Sequence, residues 1–254
     1  VPFKEALKGT EFIQPHYDDG TIIYDSLLSR IDYAMSKDFT VSSSQNPGTS
    51  DLIFGGNMDN WKKFANTLKL KIYLRYVNVD ANKYKTKIQQ LLTENNFLTI
   101  DASFKAFKDE QTGANPFYNT FMDRLAGNVI ANKTLMDILT DNNDPRKQKL
   151  FNASVTGSTY NSLFAGESIT SAGTTIKNYA TPNITSTTPV YFFSKEEVLF
   201  LRAEAQARYG TASEAEALFN SGISTSISSL GASVTVPYVY NGIKSIMEQK
   251  WIAA

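Results

Sequence analysis

Apolar positions along residues 61–80, WKKFANTLKLKIYLRYVNVD, fall on two sides of a helix. One stripe holds Phe64, Ala65, Leu68, Ile72, Tyr76 and Val79, and a second holds Leu70, Tyr73, Leu74 and Val77. Lys62, Lys63, Lys69 and Lys71 lie between the stripes, at spacings that reach solvent. A helix with two apolar flanks needs cover on both, which is what layered helical hairpins provide. Arg75 sits inside this segment. A guanidinium there either finds a carboxylate or several carbonyls, or reaches out to water along its own stem.

The same periodicity places other helices. Ile22, Ile23, Leu27, Ile31, Ala34 and Met35 share one face of a helix from Thr21 to about Asp38, with Asp18 or Asp19 as its cap. Asp59 or Asn60 is the expected cap before Trp61, and residues 83–95 read as a further helix. From residue 194 to 231 the signal is strong. Ser194 and Glu197 form a capping box, Tyr209-Gly210 stops the first helix, and Ser213 with Glu216 caps the second. Ala203, Ala205 and Ala207 let these helices approach closely. Ala203, Ala215 and Phe219 stand at spacings like those of a tetratricopeptide hairpin, and IKSIMEQKWIAA is again helical.

The middle differs. Between residues 98 and 190 one helix is expected, over 128–139, closed by the turn DNNDP. Residues 152–189 are rich in Ser, Thr, Asn and Gly with scattered aromatics. Loops that long inside a compact domain are usually functional or disordered. The expectation is an all-α chain built as one domain over 1–254, with helical parts 21–97 and 191–254 and a loop-rich part 98–190.

Composition narrows the function. Among 254 residues, 25 basic side chains balance 25 acidic ones, so no overall field favours nucleic acid or an anionic membrane. Thirteen Tyr and 16 Phe exceed what core filling needs and suggest recognition surfaces. The absence of cysteine removes disulfides, thiolate nucleophiles and sulfur-ligated metals. No apolar run is long enough to cross a bilayer. The chain begins at Val1 rather than methionine, which reads as a processed product or a fragment, with any export or lipidation signal upstream.

Catalytic motifs are missing. His16 is the single histidine and lies in a loop-like segment, and HExxH, Walker and GxGxxG patterns are absent. No cofactor is expected. Asp18-Asp19 and the acids of 141–144 lack the spacing of a calcium loop and read as turn residues. A glycosidase needs two carboxylates about 5 to 10 Å apart, and nothing singles out such a pair. Glu204, among alanines, reads first as a partner for Arg202, Arg208 or Arg75. The sequons at Asn132, Asn152 and Asn183 are frequent by chance in so polar a chain.

Several blocks, in order, resemble the SusD/RagB family of outer-membrane nutrient-binding lipoproteins, in its SusD-like branch. They are VPFKEAL, HYDDGTIIYDSLLSRIDYA, DLIFGGNMDNWKKFANTLKLKIYLRYVNVD, NPFYNTF, NDPRKQKLF, FFSKEEVLFLRAEAQARYG with FNSGISTSI, and EQKWIA. The resemblance implies tetratricopeptide-like hairpins carrying loops that bind a glycan or another nutrient. It also implies a TonB-dependent, SusC-like transporter as partner, an outer-membrane location facing outward, and a lipid anchor upstream as the membrane contact. Family chains run beyond both ends of this one, so further ligand residues are expected outside it.

The implied mechanism is capture without chemistry. Aromatic faces stack on sugars while Asn, Gln, Asp and Arg bind hydroxyls. Tyr118 and Asn119 in NPFYNTF, with Tyr160, Phe164 and Tyr179 in the long loop, are the candidate ligand residues, being polar-aromatic clusters outside the helical stripes. Packing of the loops is the competing role for each. Two other functions remain, a helical scaffold that binds a protein and, more distantly, a glycoside hydrolase.

Overall fold

The computed structural model describes residues 1–40, 42, 44–126, 128–167, 176–234 and 237–253. The chain forms two compact units, Val1–Leu98 and Thr99–Ala254. Both are built mainly of helices, and the described strands are short.

In the first unit, α1 (Gly20–Met35) starts at Asp19, whose carboxylate accepts from the Thr21 backbone N–H at 2.7 Å. The helix α2 (Met58–Tyr76) begins three residues before Trp61, so its cap is Asn57, not Asp59 or Asn60. Asp51 explains the earlier start. It accepts from the N–H groups of Ile53, Phe54 and Gly56 and from Trp61 Nε1 at 2.8 Å, folding the preceding loop onto the first turn. Gly56 sits at φ +82°, where an L side chain is strained, and a Cβ there would also lie 2.9 Å from the Gly48 backbone nitrogen.

The helix stops at Tyr76 rather than Asp80. The β-branched and Asn residues of VNVD favour helix weakly, and Asp80 accepts from the N–H groups of Asn82 and Lys83 to turn the chain. Val79 is therefore exposed. Leu70, Ile72, Tyr73, Leu74 and Tyr76 are buried, while Phe64, Ala65 and Leu68 are half-buried. Thr67 Oγ1 and Asn66 Nδ2 bind the backbone of Leu98 and Asn96, fixing the segment that follows α3 (Lys85–Glu94). Arg75 is exposed, so its stem takes it to solvent.

In the second unit, β1 (Ala102–Phe104) is followed by a π-helical turn over Tyr118–Arg124, then α4 (Lys133–Asp141), α5 (Lys147–Leu150), β2 (Phe151–Asn152) and β3 (Thr181–Pro182). The element β4 (Val190–Phe193) leads into α6 (Lys195–Tyr209), α7 (Ala212–Ser229) and α8 (Gly242–Ala253). Strands β1 and β4 pair antiparallel, with Ala102 opposite Phe193 and Phe104 opposite Val190. Strands β2 and β3 pair antiparallel through Phe151 and Pro182.

Helix α4 starts at Asn132, later than residue 128, because the Asn132 side chain takes the Thr134 N–H. Ser194 caps α6 at the Glu197 N–H, as its spacing predicts. The cap of α7 is Thr211, not Ser213, and it accepts from the Glu214 N–H. Phe200, Ala203, Phe219, Ile223, Ile227 and Ile246 form the core of α6, α7 and α8. Glu204, 2% exposed, is held by Arg208 at 3.1 Å and Lys250 at 2.8 Å. A second core, Ala131, Met136, Leu139, Phe151 and Ala180, includes Ile252 of α8 and so ties the loop-rich region to the helices.

Candidate ligand clefts

One face of α4 builds the wall of a cleft of about 590 Å³. Lys133, Met136, Asp137 and Thr140 recur at helical spacing, so all four reach it. The opposite wall comes from two loop segments and includes Tyr160, Asn161 and Tyr179. Backbone bonds lace these segments together. The Ala131 N–H donates to Ala180 O, Ala180 N–H to Asn161 O, and Lys133 N–H to Leu163 O, at 2.8 to 2.9 Å. The Asn161 side chain adds a bond to Asn178 O at 2.9 Å. Loop residues are thus held in a fixed frame beside a helix.

Charge in this cleft is balanced locally. Lys133 Nζ lies 2.6 and 2.8 Å from the two oxygens of Asp137, one turn on. The same ammonium stands 5.3 Å from the ring centroid of Phe164. Tyr160 is half-buried on the second core, with Lys147 Nζ 5.4 Å from its ring centroid. Phe164 is exposed and lies against Lys133 rather than among the lining residues.

Tyr118 and Asn119 line a different, smaller cleft of about 280 Å³, with Asp109, Gln111, Asp123 and Ser186. Asn115, buried, organises it. Its Oδ1 takes the Phe117 N–H at 2.8 Å, and its Nδ2 donates to Thr188 O at 2.7 Å. Asn119 Nδ2 is already committed to Gln111 O at 2.9 Å. The five sequence candidates therefore divide. Tyr160 and Tyr179 share one cleft with Phe164 at its edge, and Tyr118 and Asn119 belong to another.

Sequence reasoning passed over Lys133, Asp137 and Asn161. The Lys133/Asp137 spacing of four was the available signal. The turn at 141–144 also carries Asp144, which forms a buried ion pair with Arg146 after the end of α4. His16 is exposed and binds Glu5, as a surface histidine does. Among the described residues, no group of three His, Cys, Asp or Glu side chains is placed to hold a metal ion, and no helix is long and apolar enough to cross a membrane.

A SusD-like family model, described as "Starch-binding associating with outer membrane", matches residues 1–254. The chain belongs to the SusD-like family. No curated protein matches this SusD-like chain. Solved structures share its fold. A SusD homologue from Bacteroides uniformis is 23% identical with a TM-score of 0.75, covering 100% of this chain and 60% of that one. A chitin-binding SusD homologue from Flavobacterium johnsoniae is 19% identical with a TM-score of 0.80, covering 100% and 60%. A SusD homologue from Bacteroides vulgatus is 19% identical with a TM-score of 0.74, covering 100% and 59%. The SusD-like chain thus spans about 60% of the length of these structures. The all-α, tetratricopeptide-like fold expected from its sequence is the fold they share.

Proposed function

We propose that this chain captures glycan without chemistry at the outer face of the outer membrane and passes it to a TonB-dependent, SusC-like transporter. The observation that carries the reading is the cleft on α4. Tyr160 and Tyr179 offer aromatic surface, while Asp137, Asn161, Asn178 and Thr140 offer acceptors and donors for hydroxyls, on a backbone frame that needs little ordering. The family description and the chitin-binding neighbour support a polysaccharide ligand. A lipid anchor upstream of Val1 is the membrane contact in this reading.

Isothermal titration calorimetry of the full-length mature protein against starch-type and chitin-type saccharides tests it, with an assay for released reducing ends on the same samples. Saturable heat without product is expected. Product makes the protein a hydrolase, and silence across the panel removes the glycan reading.

One observation favours the scaffold as a second reading. In the first unit, an apolar groove of about 550 Å³ runs between α1 and α2, lined by Leu27, Ile31, Leu68 and Ile72 and bordered by Arg30 and Arg75. Loss of protein partner binding in Arg75→Glu, with glycan binding absent, supports that alternative.

A further inference from the structure

A second polar cleft of the Thr99–Ala254 unit, about 490 Å³, lies where the end of α4, the segment before α8, and α8 itself meet. It shares no lining residue with the Tyr160/Tyr179 cleft. Tyr238, half-buried, gives it an aromatic wall, and the Arg146 guanidinium lies 5.8 Å from the centroid of that ring. Asp141 and Glu248 bring two carboxylates and Lys244 one cation, and among the described residues none of the three is in an ion pair.

Gln249 is the decisive group. It is 4% exposed and lines the cleft. Its Oε1 accepts from Arg146 Nη2 at 2.6 Å, which orients the amide, yet its Nε2 has no hydrogen-bond partner among the described residues. That amide donor is open to the cleft and available to a ligand there. Two carboxylates against one cation disfavour an anionic ligand, and no metal-binding group of three such side chains is present among the described residues. Carboxylates that accept, an amide that donates and a tyrosine ring together suit a neutral polyhydroxylated ligand.

We infer that the Tyr238/Gln249 cleft is a second saccharide site, taking a short neutral segment of the same polymer that occupies the α4 cleft. This rests on the glycan-capture reading. Gln249 and Tyr238 position and face the sugar, and Asp141, Glu248 and Asn241 bind its hydroxyls. With two sites on one unit, a polymer that spans both gains avidity over a short oligomer, by about a hundredfold where the span fits.

The test is calorimetric stoichiometry with maltooligosaccharides and chitooligosaccharides on the full-length protein. Wild type is expected to bind two equivalents, Tyr179→Ala one, and Asn241→Ala/Glu248→Ala one, with the polymer's advantage lost in both variants. Asn241 and Glu248 make no hydrogen bonds through their side chains among the described residues, so that double variant keeps the fold. One equivalent in wild type, abolished by Tyr179→Ala and untouched by Asn241→Ala/Glu248→Ala, overturns the second site and leaves glycan capture standing. No binding of either saccharide type by any form removes both.

Discussion

Arg146 and Asp144, two residues apart and buried, form a bidentate ion pair: Nη2 donates to Oδ2 at 2.6 Å and Nε to Oδ1 at 2.9 Å. The guanidinium continues to Ser226 Oγ on α7 at 3.1 Å and to Gln249 Oε1 on α8 at 2.6 Å. The turn after α4, and with it the wall of the α4 cleft, is fastened to two helices of the layer behind it. Removing one partner leaves a charge buried and alone. Arg146→Ala is expected to cost about 3 to 5 kcal/mol, read as a fall in the urea midpoint at unchanged slope. A loss under about 1 kcal/mol, the range of exposed pairs, contradicts a buried network.

The same pair makes stability depend on pH. Burial alone raises the Asp144 carboxyl, but the bonds and charge of Arg146 outweigh it and hold the group below its ordinary value of 3.8. A carboxyl more acidic in the folded chain stabilises it fully above the unfolded value and loses that contribution as pH falls through the lower folded value. The Asp144 contribution is therefore intact at neutral pH and disappears only below about pH 4. Denaturation curves of wild type and Asp144→Asn are expected to converge in acid and separate above it. Parallel curves across that range sink the linkage.

Asp51 should be the keystone of the loop ahead of α2. Burial pushes its carboxyl up, yet the bonds from Trp61, Gly56, Phe54 and Ile53 prevail and keep it low. Asp51→Ala strands four donors and is expected to cost about 1 to 3 kcal/mol. Trp61 emission, reporting the lost Nε1 bond, should shift to the red as the indole meets water. An unshifted spectrum with unchanged stability argues that water replaces the carboxylate without loss.

Gly222 of α7 faces Phe200 of α6, and a Cβ would lie 2.8 Å from the ring. Phe200 is fully buried and has nowhere to move. Gly222→Ala should therefore destabilise by about 1 to 3 kcal/mol through overpacking, against the usual gain from replacing helical glycine. A rise in melting temperature shows that the two helices separate freely.

What the sequence makes legible follows the range of each interaction. Ser194 and Glu197 are three residues apart, so the cap of α6 is written locally. Asp51 acts across ten residues on Trp61, and the true start of α2 is hidden from a reading that seeks a cap beside it. Arg146 meets Ser226 and Gln249 at separations of 80 and 103 residues, which no local pattern reveals. Tyr160 and Tyr179 stand out as polar-aromatic positions outside the stripes, but their common cleft depends on backbone bonds among residues 131, 161 and 180. The division of Tyr118 from them depends on Asn115, which caps Phe117 two residues on but also reaches Thr188, 73 residues away.

The two tyrosines of the α4 cleft should not be equivalent. Tyr160 packs on the second core and lies under Lys147, so Tyr160→Ala removes packing along with any sugar contact. Tyr179 is half-buried and lines the cleft without belonging to that core. Tyr179→Ala should therefore lower glycan affinity at the α4 cleft by about tenfold to a hundredfold, the value of one lost stacking contact with its water exclusion, while leaving the melting temperature within about 2 °C of wild type. Tyr160→Ala should lower both. Tyr118→Ala, in the other cleft, should change neither affinity at the α4 site nor the Tyr160 environment. Calorimetry beside thermal melts on the three variants separates these outcomes. If Tyr118→Ala alone abolishes binding, the ligand lies in the smaller cleft around Asn115, and the α4 frame holds loops rather than sugar.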